Sequence, residues 1–316
     1  MVELQEPYTW PRDTGYYYSL WSLASFVGII CINHVFGEYF FERLFPVYRS
    51  LSHQKKIEWN CRVSSSLHAS IVTILSIVSL VFDRTQWFEP IVTVSRTGCI
   101  ALAITVGYML ADIITMVAFQ KGLQLYLFTV HHIVVAVCFT FLLAYRIALV
   151  YAIIRLTCEI STPFLNQRWF YWTMGGKGSD RKAAIATLIF AALFVLGRYI
   201  LPIPYWYFFF AVFNSEVHLV LKPYFPPLTN HFISCPVLLD LLNILWGFPI
   251  CGVAKKALIT LGYVEAPKAM KNEISTGNGS VAHRLGGSVA PNQNGSVAPK
   301  QNGSVVPASK EKVHEQ

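Results

Sequence analysis

Two adjacent histidines, His131 and His132, lie within the apolar stretch LQLYLFTVHHIVVAVCFTFLLAY, residues 123–145. An ionisable side chain at membrane depth costs free energy and faces a bundle interior or a wet cavity, so it marks a candidate site. A lone buried histidine can be satisfied by one hydrogen bond to a neighbouring helix. An adjacent pair differs, because successive helical residues point ~100° apart and need two separate polar environments. Asp112 and Glu159, in the flanking apolar stretches, are the carboxylates able to serve the pair. A carboxylate bonded to one ring nitrogen fixes the tautomer and makes the other nitrogen more basic. His131 or His132 as base or nucleophile, with Asp112 and Glu159, therefore forms a candidate catalytic set. His68, Arg155 and Asn243 are further intramembrane polar residues and candidate lipid contacts. No metal is expected: histidine and aspartate ligate zinc, but adjacent histidines on one helix diverge too far for an obvious site. The competing structural reading is a buried polar network that specifies helix packing. On that reading Arg155 and Glu159, at i and i+4, form an intrahelical pair, and Arg198 bridges to Asp240 across two helices.

These residues need membrane-spanning helices to hold them. The chain is 54% hydrophobic and only 13% charged, against about 25% charged in soluble domains, which predicts an all-α polytopic membrane bundle. Seven spans are expected, at about 17–37, 65–82, 97–119, 124–145, 147–166, 183–202 and 236–254. Trp10, Tyr16, Tyr17, Trp87, Trp169 and Trp172 stand near their ends as interfacial anchors. The first, fifth and tail connections carry the basic residues, including Arg43, Arg49, Lys55, Lys56, Arg62, Arg168, Lys177, Arg181, Lys182, Lys255 and Lys256. The opposite loops carry Arg84, Arg96, Arg146 and Lys222. That bias predicts a lumenal or external N-terminus and a cytosolic C-terminus. It places Asp112, His131 and Glu159 each seven residues from a cytosolic span end, ~10 Å deep at ~1.5 Å per residue. The expected result is a polar chamber open to the cytosol.

The seven cysteines show neither a disulfide framework nor C-x-x-C spacing, and read as small apolar packers. The net charge of +8 comes from basic residues clustered beside spans without a recognition module, so nucleic acid is not an expected partner. Residues 203–221 are apolar but interrupted by Pro204, Asn214, Glu216 and His218, and read as a re-entrant or interfacial segment rather than an eighth span. Residues 257–316 form a tail in which Gly279, Gly287, Gly295 and Gly303 repeat every eight positions. Its composition predicts disorder. Its sequons at Asn278, Asn294 and Asn302 carry no sugar if the tail is cytosolic.

Five stretches together resemble the TLC-domain family, which includes the ceramide synthases: KKIEWNCRVSSSLHAS (55–70), GYMLADII (107–114), the HH pair, CEISTPFLNQRWF (158–170) and SCPVLLDLLNILW (234–246). The resemblance implies a TLC domain over 55–256, preceded by an N-terminal segment and span within 1–54. It implies a six-helix barrel around a central cavity, located in the endoplasmic reticulum, and a part in lipid homeostasis. In ceramide synthases the HH pair belongs to the acyl-transfer site. The resemblance also shows a departure: Cys158 and Glu159 fall where the enzymes' later His–Asp pair stands, and Thr162 where a second Asp stands. Three functions follow: a regulator that binds membrane lipids or fatty acyl chains, an acyltransferase using the histidine pair, and a lipid transporter. No cofactor is expected, with acyl-CoA a co-substrate only for the acyltransferase.

Overall fold

The computed structural model describes residues 12–119, 123–215, 219 and 226–265, and the regular structure of these residues is helical throughout. The chain forms α1 (Arg12–Ile30), α2 (Gly37–Leu44), α3 (Pro46–Arg49), α4 (His53–Phe82), α5 (Thr85–Phe88), α6 (Arg96–Phe119) and α7 (Leu123–Tyr145). It continues as α8 (Leu149–Leu156), α9 (Thr162–Met174), α10 (Ser179–Val195), α11 (Pro202–Phe213) and α12 (Pro226–Thr260). A π turn, Cys31–Phe36, joins α1 to α2, and a second, Leu196–Ile200, joins α10 to α11. Six stretches are long and apolar enough to cross a membrane: Tyr16–Leu44, His53–Phe82, Arg96–Phe119, Leu125–Tyr145, Ser179–Phe213 and Ile233–Thr260. Leu23, Val27, Ile74, Val81, Val117, Val137 and Leu245 stand exposed along them. Apolar surface on that scale is compatible with a lipid environment and is unusual for a soluble monomer. The chain is a multi-pass helical membrane protein.

The expected span at 147–166 is not one α-helix. Pro163 has no N–H and its ring crowds the carbonyl four residues back, so residues Thr157–Ser161 tighten into a 3-10 turn before α9 begins. Along α8, Leu149, Val150, Tyr151, Ala152, Ile153, Ile154 and Leu156 are all buried. A helix apolar all round belongs inside the bundle, and α8 packs there against α4 and α6. The sharp entry to α8 is made by Arg146 and Ala148, both at positive φ, with Ala148 N–H donating to the Ile91 carbonyl at 2.8 Å.

Other helices outrun their apolar windows. α4 begins at His53 rather than 65 because its polar start finds partners. Lys56 reaches Glu38 and Glu42 at 2.8 and 2.6 Å, and Glu58 pairs with Arg62 one turn on at 2.6 Å. Residues 202–213 are helical and run on from α10 through the π turn. Glu216 and His218 of that interrupted segment and the loop residue Lys222 lie outside the described residues, as do the glycine repeat and its three sequons. α1 lies against α6 where Gly107 admits the Ser22 carbonyl and the Phe26 amide, a contact that any Cβ would block. There Ser22 and Ser25 hydroxyls donate to the Ala103 and Ile104 carbonyls at 2.9 and 2.8 Å. Small residues permitting close backbone approach, with hydroxyls crossing between helices, are a membrane packing device.

Candidate functional site

The histidine pair sits midway along α7 between α6 and α12. His132, only 7% exposed, places Nε2 3.0 Å from the Asp112 carboxylate on α6. Its Nδ1 lies 2.7 Å from the Phe128 carbonyl one turn back. A carbonyl only accepts, so Nδ1 carries a proton and donates it there. A second proton lies between Nε2 and the carboxylate, giving an imidazolium–carboxylate pair or its neutral equivalent. Both ring nitrogens are thereby occupied. In this arrangement His132 has no free lone pair to act as base, nucleophile or metal ligand.

His131 points elsewhere, as the ~100° step requires. Its ring meets the edge of Trp246 on α12 at 5.2 Å, and Phe128, three residues back, stacks on the same indole at 5.2 Å. His131 Nδ1 and Trp246 Nε1 are both buried with no hydrogen-bond partner. Gly247 makes the neighbouring surface possible, since a Cβ there would collide with the Tyr199 hydroxyl. That hydroxyl donates to the Asn243 carbonyl at 3.1 Å. Asn243 itself is buried on α12.

His68 is part of the core. It stacks on Tyr108 at 3.9 Å with ring planes 8° apart. Its Nε2 is 3.4 Å from the Thr105 hydroxyl, which donates onward to the Ala101 carbonyl at 2.9 Å. Tyr108 in turn lies 6.3 Å from His132. Rings from α4, α6, α7 and α12 thus form a line: His68, Tyr108, His132, His131, Trp246.

The charged residues pair differently from expectation. Arg155 does not bond Glu159; it makes a two-pronged bridge to Asp240 at 2.6 and 2.8 Å. Asp240 also accepts from Trp206 Nε1 at 2.9 Å, and the Arg155 guanidinium lies 4.4 Å above the Tyr205 ring. Arg198, expected opposite Asp240, instead donates to the Cys158 carbonyl at 3.0 Å and the Ser161 hydroxyl at 2.7 Å. It lies 3.7 Å from Glu159, whose other oxygen accepts from Thr162 at 2.7 Å. The 3-10 turn explains the exchange: at three residues per turn, position i+4 no longer shares a face with position i.

Next to the Arg155–Asp240 bridge lies a small cavity with walls that are almost wholly apolar, including Phe139, Leu142, Ala152, Tyr205 and Leu239. Cys138 on its wall is seven residues beyond His131 on α7, about 10 Å along the axis. Among the described residues no three His, Cys, Asp or Glu side chains gather as a metal-ligand set. The structure brings Asp112 and His132 together, sets His131 beside them, and leaves His68 and Arg155 in separate contacts. Reading the sequence for ionisable groups passed over Trp246 and Tyr108. Their signal was aromatic residues placed within otherwise aliphatic segments.

Fold and site together define a multi-pass helical membrane protein with a buried histidine–carboxylate centre. The TLC domain matches residues 58–252, more than half the chain, and the protein belongs to the TLC domain family. It is 27% identical to human TLC domain-containing protein 4 over 243 residues, 77% of this chain and 90% of that one. It is 30% identical to TLC domain-containing protein 4-A of Xenopus laevis over 227 residues, covering 72% and 87%. The Danio rerio protein 4-B is 28% identical over 235 residues, covering 72% and 85%. No solved structure matches the chain.

Proposed function

We propose that this protein acts in membrane lipid homeostasis by holding a membrane lipid or fatty acyl chain inside its helix bundle. The observation that carries this reading is the apolar cavity beside the Arg155–Asp240 bridge. The cavity is small and its walls are almost wholly apolar, so hydrocarbon is the chemistry it suits. The line of rings ending at His131 and Trp246 lies about two turns along α7 and supplies hydrogen-bonding groups for a lipid's polar end. In this reading the endoplasmic reticulum is the working membrane, and the broken α8–α9 segment crosses it as a seventh pass, which leaves the N-terminus lumenal and the C-terminus cytosolic.

A second reading, acyl transfer from acyl-CoA, is favoured by one feature, the unpartnered Nδ1 of His131. That nitrogen could serve as nucleophile, with the His132–Asp112 pair beside it. Glu159 is engaged by Thr162 and Arg198 and its placement gives acid–base chemistry little support.

The test is mass spectrometry of lipids copurifying with the full-length protein, alongside Ala152→Phe and the His131→Ala, His132→Ala double variant. Ala152→Phe projects a ring into the cavity and should deplete the bound lipid while the protein stays folded. An unchanged lipid complement in folded Ala152→Phe would refute the cavity reading. Transfer from acyl-CoA to an added acceptor, lost with His131→Ala, would establish the enzyme instead.

A further inference from the structure

A second site stands on a different observation, an arginine without a counter-charge where α4 and α9 meet. Arg168 is 3% exposed and lies past Asn166, the expected end of the fifth span. Among the described residues it forms no ion pair and no hydrogen bond, and its Nη1 is buried and unpartnered. Burial pushes its guanidinium down to about 10, and the neighbouring Arg62 charge adds to the effect. Arg62 itself is compensated: Glu58 accepts from its Nε and Nη2 at 3.1 and 2.6 Å, and Asn166 accepts from its Nη1 at 3.1 Å. The region thus holds two cations and one anion.

A buried charge left unpaired is strongly unfavourable. The Trp172 ring, 4.7 Å from the Arg168 guanidinium, offsets this only in part, since a cation–π contact does not supply the missing acceptors. Trp172 is itself half-buried, close to the end of α9. The next turn, residues 175–178, is glycine-rich, and Lys177, Arg181 and Lys182 are exposed in and after it. Beside the site Trp59 packs edge-on against Trp169 and Phe170 at 6.1 and 4.8 Å.

We infer that Arg168, with Arg62 beside it, is the seat for a phosphate group, reached when Trp172 swings aside. A guanidinium presents parallel N–H donors that match two phosphate oxygens, and one phosphate anion cancels the excess charge. The same chemistry is offered by a phospholipid headgroup and by a soluble phosphate ester. The inference does not depend on what occupies the apolar cavity.

The test uses the full-length protein in dodecyl maltoside micelles and phosphate-free buffer. Phosphatidic acid is added to the micelles in one arm and coenzyme A to the buffer in the other, with binding and melting temperature measured for native, Arg168→Gln and Arg168→Lys chains. Native protein should bind at least one probe and melt higher with it. Arg168→Gln should bind at least tenfold more weakly, equivalent to about 1.4 kcal/mol, with Arg168→Lys between them. A response to phosphatidic acid alone assigns the site to a headgroup, and a response to coenzyme A alone to a soluble ester. In dodecyl maltoside alone, Arg168→Gln should melt no lower than native, because it removes an uncompensated charge. Equal responses of native and Arg168→Gln, no response to either probe, or failure of Arg168→Gln to fold would overturn the inference.

Discussion

The exchanged ion pairs permit a sharp test. In the structure Asp240 belongs to Arg155, through two short bonds, whereas sequence spacing alone gives Asp240 to Arg198. Asp240→Asn keeps the shape and the Trp206 bond but leaves Arg155 buried and uncompensated. Removing one partner of a buried pair costs about 3–5 kcal/mol. The Asp240 side chain is 24% exposed and that of Arg155 10%, so partial screening lowers the expectation to about 2–3 kcal/mol. Glu159→Gln loosens only a 3.7 Å contact and should cost under about 1 kcal/mol. Stability would be read from reversible unfolding in mixed micelles of increasing SDS fraction, in two double-mutant cycles. The Arg155→Met, Asp240→Asn cycle should return a coupling of about 2 kcal/mol or more, and the Arg198→Met, Asp240→Asn cycle a value near zero, within about 0.5 kcal/mol. A larger coupling between Arg198 and Asp240 than between Arg155 and Asp240 would refute the pairing and, with it, the account of the 3-10 turn.

Asp112→Asn should leave the protein folded with lipid still copurifying, because His132 keeps its Phe128 bond; complete loss of function in a folded Asp112→Asn chain would instead favour acyl transfer. Gly107→Leu should destabilise the α1–α6 contact by at least about 1–3 kcal/mol, as overpacking does, seen as early proteolysis of the N-terminal helix; unchanged protease resistance would contradict the close approach. Endoglycosidase should cause no mobility shift despite the sequons at Asn278, Asn294 and Asn302, and a tag after Gln316 should be reached by antibody when only the plasma membrane is permeabilised; glycan on any of the three would reverse the orientation.

How much of this was legible from the residues depended on which physical signal each feature leaves. Apolar windows located α6 and α7 to within a residue, because both helices are bounded by the same polarity change that bounds the hydrocarbon layer. They misjudged α4, whose polar first turns are stabilised by Lys56 and Arg62 pairing with glutamates, interactions a hydropathy average counts as penalties. They also ran through the break at 157–161. There the signal was present in Pro163, and the rule that proline disrupts the preceding turn would have found it. The pairing of Arg155 with Asp240 was not available at all, since it depends on how α8 and α12 pack 85 residues apart in sequence.

The Asp112–His132 contact was anticipated as an orienting carboxylate that makes a histidine a better base. Asp112 lies 3.0 Å from His132, but the neighbouring carbonyl changes what the contact does. A carboxylate on one nitrogen activates the other only if that other nitrogen stays free, and the Phe128 carbonyl occupies it. That carbonyl is one turn back in every helix, so sequence carries no hint of whether a given histidine rotamer will reach it. The consequence falls on His131. Its ring, held by Trp246 and facing away from Asp112, is the member of the pair with an unpartnered nitrogen. The choice between lipid binding and acyl transfer therefore turns on His131 rather than on the carboxylate-paired residue. Separate His131→Ala and His132→Ala chains divide the two roles: loss of lipid or activity should follow His131, and loss of stability should follow His132.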